Sequence, residues 1–176
     1  MSEIDTQRLH SQLFDDPRRQ TYVILDGAAV TNLRQWLWQH NPAHRCLYPG
    51  ELDADMAQVA PYLVQLTAES EFTEFVLDGW GRHQGIFLLS DASLRDLRRH
   101  FRNFIMVHHP ENGQPMYLRF YDPRVLRVLL PTCDAAQLAE LFGPISRYLM
   151  EAEHPEQLLI FRHNNGQLAS ETLALN

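Results

Sequence analysis

"TYVILDG", residues 21–27, decides how the chain folds. Four consecutive apolar residues, Tyr22 to Leu25, are closed by Asp26 and Gly27, which is how a strand buried on both faces reads. The flanking sequence supplies helices to cover it. Residues 4–14 carry Ile4, Leu9 and Leu13 at helical spacing and stop before Pro17. Residues 30–40 carry Leu33, Trp36, Leu37 and His40 and stop at Asn41-Pro42. Further on, "RCLYPG" predicts a short second strand, Glu51 to Met56 an exposed loop or helical turn, and "PYLVQL" a third strand. The proline there sits first, where no ladder donor is needed. Ser70 can cap a helix that turns Phe72, Phe75 and Val76 inward and ends near Gly79.

The alternation continues with "QGIFLLSD" as a buried strand and a helix from Ser93 to Asn103, with Ser90 or Asp91 as its cap and Leu94, Leu97 and Phe101 on its inner side. Hairpins follow. "FIMVHHPENGQPMYLRFYD" turns at Asn112-Gly113, and "LLIFRHNNGQLASETL" turns at Asn165-Gly166. Between them "CDAAQLAELFGP" is a helix with Leu138, Leu141 and Phe142 inside and Gly143 past its end. The expected fold is α/β: one compact domain over 1–176, a mixed sheet with flanking helices, strand–helix alternation early and β-hairpins late.

At 176 residues the chain is long enough for one sizeable core, and 45% apolar with 21% charged residues is ordinary globular composition. No apolar run approaches the ~20 residues of a membrane span, and the polar, acidic N-terminus does not read as a secretory signal. Cys46 and Cys133 lie outside any CxxC spacing, so the expected setting is a reducing cytoplasm. The net charge of −7 argues against a general nucleic-acid binder. That charge is uneven. Arg82 to Arg127 holds eight arginines against Asp91, Asp96, Glu111 and Asp122, while the rest holds seven arginines and 18 acids. A basic middle in an acidic protein hints at a directional binding face. No lysine is present, which removes Schiff-base chemistry and a phosphate-loop lysine.

Known catalytic motifs are missing: no GxSxG, no HExxH, no phosphate loop. The glycines of "GWGRHQG" precede a strand, whereas a dinucleotide-binding turn follows one, so this reads as a turn that lets Trp80 pack. His100, His108, His109 and Glu111 are the densest group of potential metal ligands, but adjacent strand residues point to opposite faces, and no metal or cofactor is expected. Arg95, Arg98, Arg99 and Arg102 share one outward helix face. It is either a solvated face or a patch for an acidic protein partner.

The densest polar set lies in "YLRFYDPRVL", 117–126. Read as a strand, Leu118 and Phe120 face the core while Tyr117, Arg119 and Tyr121 share the second face. Asp122-Pro123 then starts a helix, Asp at the N-cap and Pro at the first turn. On this reading Arg119 and Asp122 tie a strand-to-helix joint, and Arg124 is left for a partner.

Several stretches together resemble the bacterial type VI secretion adaptors, or effector-loading chaperones, defined by domain of unknown function 4123. These are "YVILDGA" (22–28), "PYLVQL" (61–66), "GWGRHQGIFLLSDASLRDLRRHFRNF" (79–104), "LRFYDPRVL" (118–126) and "FGPI" (142–145). They span about 22–151, and the Phe-Tyr-Asp-Pro-Arg run is the most specific. The resemblance implies no catalysis. It implies a cytoplasmic Gram-negative protein that binds a cognate toxin effector and helps mount it on a VgrG-type spike, with no nucleic-acid or membrane partner. Tyr121, Pro123 and the three charged residues Arg119, Asp122 and Arg124 would then serve as structural motif or partner contact. Two other readings stand beside it: an immunity protein that blocks a toxin, or a small hydrolase using His108 or His109 with Glu111 or Asp122.

Overall fold

A computed structural model describes residues 4–176. The apolar run at 22–25 is the heart of β1 (Gln20–Asp26), and every residue from Thr21 to Asp26 is buried. Two neighbours explain why. β3 (Pro61–Leu66) and β4 (Gly85–Ser90) pair with β1 on either side, Val23 lying opposite both Val64 and Phe87. Beyond them come β2 (His44–Cys46) at one edge, and β7 (Ile145–Glu151), β8 (Gln157–Asn164) and β9 (Gln167–Ala174) on the other side. The order is β2-β3-β1-β4-β7-β8-β9.

Every ladder in this sheet is antiparallel, which corrects the expected mixed sheet. The physical reason is the order of insertion. The chain leaves β1 through a helix, as a parallel crossover would, but β3 slots between β1 and β2. No two strands of like direction become neighbours. Helices still cover both faces, so β1 keeps the continuous apolar pattern typical of a parallel strand.

Successive side chains of β1 alternate between those faces. The Thr21 hydroxyl donates to the Leu13 carbonyl at the end of α1 (Thr6–Phe14), which packs with α2 (Leu33–His40) on α4 (Glu71–Asp78). The Tyr22 hydroxyl points the other way and donates to the Ala92 carbonyl, just before α5 (Leu94–Ile105). α7 (Ala135–Phe142) packs against β7, β8 and β9. The acidic stretch near residue 51 becomes α3 (Ala54–Val59), capped by Asp53.

Local signals explain most boundaries. Ser70 caps α4 through Thr73 N–H, and Asp134 with Gln137 forms a capping box on α7. The cap of α5 is Ser93, accepting from Asp96 N–H, instead of Ser90 or Asp91. Ser90 is spent elsewhere: its hydroxyl donates to Pro144 O and accepts from Ala92 N–H. Asn165 and Gly166 both take positive φ, joining β8 to β9 by the two-residue turn their sequence signals. One strand, β7, was outside the sequence reading altogether.

The first hairpin forms, but smaller than expected. β5 (Met106–His108) and β6 (Pro115–Tyr117) make a separate, exposed two-stranded ribbon.

Candidate functional site

β6 stops at Tyr117, so the predicted strand alternation through Tyr121 does not hold. The chain turns instead, with Asp122 N–H donating to Arg119 O at 3.0 Å. In a turn neighbouring side chains need not oppose each other, and Phe120 and Tyr121 are both buried. Phe120 stacks on Phe101 of α5, 5.5 Å between ring centroids. Tyr121 neighbours Tyr48, whose ring in turn stacks on Tyr117 at 4.5 Å. Burial pushes the Tyr121 phenol far above its ordinary value, and the neighbouring Tyr48 hydroxyl adds to the rise.

The arginines then find different partners from those the sequence suggested. Arg119 reaches back to Asp26 at the end of β1, not to Asp122. Asp26 is 1% exposed and also accepts from Ala28 N–H at 2.9 Å. Asp122 caps α6 (Pro123–Leu129), with Pro123 buried in its first turn, as expected. Arg124, expected to be left for a partner, folds back on Asp122 with two guanidinium contacts of 3.0 and 2.7 Å. About half of the Arg124 side chain stays exposed. Burial raises the Asp122 carboxyl most, but the side-chain and backbone hydrogen bonds of Arg124 outweigh it and hold the group below its ordinary value.

A third buried acid completes the set. Glu151, at the end of β7, accepts from Gly81 N–H at 2.9 Å and His83 N–H at 3.2 Å, and lies 2.7 Å from His83 Nδ1. Strands β1 and β7 run the same way, each antiparallel to the β4 between them, so Asp26 and Glu151 lie at one end of the sheet. α6 is pinned there too, as Arg127 donates to Ala152 O at 2.8 Å. Among the described residues, Asp26, Asp122 and Glu151 are the buried acids, and each is engaged by a cation or by backbone N–H groups. The arrangement fixes three carboxylates in place at one end of the sheet.

Asp26 and Glu151 escaped the sequence reading. The signal was present in both: each acid directly ends a buried apolar run, Tyr22–Leu25 or Tyr148–Met150.

The histidines are not gathered. His100 packs between Phe101 and Phe104 with Nε2 3.2 Å from Leu141 O, and burial lowers its proton affinity. His109 Nδ1 lies 3.2 Å from Glu111 N in the ribbon turn, and His108 is exposed. Among the described residues no three His, Cys, Asp or Glu side chains come together as metal ligands. Cys46 and Cys133 are free thiols, both half-buried. No helix among the described residues is long and apolar enough to cross a membrane.

The second candidate surface is on α5. Arg95, Arg98, Arg99 and Arg102 do share a face, and Arg45 of β2 joins them around a groove of about 490 Å³. Arg98 Nε donates to Cys46 O at 3.1 Å and Arg102 to Tyr48 O at 3.3 Å. Burial, with Arg102 and Arg45 alongside, pulls the Arg98 guanidinium below its ordinary value. Like charges three or four apart on a helix cost roughly 0.2–0.5 kcal/mol per pair.

A family model described as Domain of unknown function (DUF4123) matches residues 21–140, more than half of the chain. That span includes Asp26, the turn at 118–122 and the whole arginine groove; Glu151 lies outside it. No curated protein matches the chain, and no solved structure matches it.

Proposed function

The chain belongs to the family described as Domain of unknown function (DUF4123), and from that premise we propose that it is a non-enzymatic adaptor. It binds a cognate toxin effector in the cytoplasm and helps load it onto a VgrG-type spike. The toxin and the spike enter through the resemblance of "LRFYDPRVL" and its companion stretches to effector-loading adaptors; the family description itself assigns no role.

The observation that carries the reading is the state of the polar set at the end of the sheet. Arg119, Asp122 and Arg124 are committed to internal ties, and Asp26 and Glu151 are held with them. A general base must reach the proton it takes, and these carboxylates already face guanidinium groups, His83 or backbone donors. The exposed features are of another kind: the arginine groove, and the ribbon with Met106, Met116 and Tyr117 at its surface. Tyr, Met and Arg are enriched at protein interfaces.

The test is co-expression of the full chain with the toxin encoded beside it, followed by affinity capture. A complex that survives purification is expected. Recovery of neither the toxin nor the spike would remove the proposal.

A further inference from the structure

We propose that the groove between α5 and β2 docks an acidic segment of a partner protein, which it holds by its carboxylates. Five guanidinium groups, from Arg45, Arg95, Arg98, Arg99 and Arg102, line it together with Asn103. Among the described residues these five arginines have one ion-pair partner, Asp96, 3.8 Å from Arg99. Asp96 is itself bonded to the Ser93 hydroxyl. The groove is therefore a concentration of positive charge inside an acidic chain.

Its length selects among anionic partners. The four helix arginines are spaced over two turns, a strip of about 10 Å at the helical rise. The groove is lined by guanidinium side chains on the flank of α5, whose first turn is capped by Ser93, and such forks take carboxylate and phosphate oxygens alike. A strip of planar forks suits successive carboxylates on a peptide. Duplex nucleic acid would extend beyond the strip and meet the field of a chain with net charge −7. A short acidic segment meets the groove alone.

Two of the arginines are set in advance. Arg98 and Arg102 are held by the Cys46 and Tyr48 carbonyls, which lowers the ordering cost of binding. Arg102 Nε is buried with no hydrogen-bond partner. The inference stands apart from toxin loading, since it needs only a partner with an acidic stretch.

The experiment titrates the full chain into a fluorescein-labelled peptide carrying Glu at positions i, i+3, i+4 and i+7, beside the same peptide with Gln. Saturable binding to the Glu peptide is expected, at least about tenfold tighter than to the Gln peptide and weakening as salt rises. The Arg95→Glu/Arg99→Glu variant, both positions exposed, should lose about tenfold or more with an unchanged melting curve; Arg45→Gln provides a second variant on a different element. Equal binding of the Gln peptide, or no loss in either folded variant, overturns the proposal. So does tighter binding of a duplex DNA of matched length, which would make the groove a nucleic-acid site. Self-association that the charge reversal abolishes would assign the groove to a second copy of the chain, and overturns it too.

Discussion

Arg119 reaches across 93 residues of chain to Asp26, and that contact is the strongest single statement about why the Phe-Tyr-Asp-Pro-Arg segment has its composition. Asp26 is almost fully buried while the Arg119 side chain is 48% exposed, so the pair is half screened by water. Truncating a fully buried pair costs about 3–5 kcal/mol; with screening, Arg119→Ala should cost about 2 kcal/mol. Asp122→Ala removes an N-cap worth about 1 kcal/mol. Arg124→Ala should cost less than either, about 0.5 kcal/mol, because just over half of its side chain is in solvent and Asp122 keeps the backbone donor at residue 124. Urea denaturation of the three variants checks the ranking, and Arg124→Ala as damaging as Arg119→Ala contradicts it. Acid adds a second check. The Asp122 carboxyl is held below its ordinary 3.8 in the folded chain. A lowered folded value adds stability above the unfolded value and loses it as pH falls through the folded one. The stability gap between the wild type and Asp122→Asn should therefore narrow below about pH 4. A gap constant down to the acid transition would show that Asp122 is not so held.

At the scale of elements, periodicity and punctuation were legible and pairing was not. Ser70, Asp122-Pro123 and Asn165-Gly166 each announced a boundary that the structure realises. The strand reading of 117–121 failed because alternation presumes extended backbone; the turn from Arg119 to Asp122 puts both Phe120 and Tyr121 inside. β7 was missed because Ser146 and Arg147 interrupt its apolar residues, which are buried by β4 on one side and β8 on the other, a tertiary fact. The C-terminus of α7 offers an element-scale test. Gly143 takes φ +47°, and a Cβ there would lie 2.5 Å from the His100 ring. Gly143→Ala combines backbone strain of about 1–2 kcal/mol with that clash. It should lower the melting temperature by roughly 2–8 °C for the strain alone, and by more with the clash. Gly50→Ala, also at positive φ but with no atom near the added carbon, should lower it less. Equal effects would mean that the α5–α7 contact is unimportant.

The whole molecule combines an α/β rhythm in sequence with an antiparallel sheet in space. The apolar run of β1 is read correctly as doubly covered; the partner order, set by long-range pairing, and the strand β7 were hidden. The same holds for charge. The basic middle was visible as a count, but the addition of Arg45 from a distant strand, and the diversion of Arg119, Arg124 and Arg127 into internal ties, required the fold. What results is a domain whose buried charges hold one end of the sheet and whose exposed arginines and ribbon face outward, the division of labour expected of a docking protein. Loading is the central claim, and it has a direct measurement: the amount of toxin recovered on the purified spike when the two are produced with and without this chain. The account predicts a spike–toxin complex that forms when the chain is present and fails to form in its absence. Equal recovery of toxin on the spike under both conditions would contradict it.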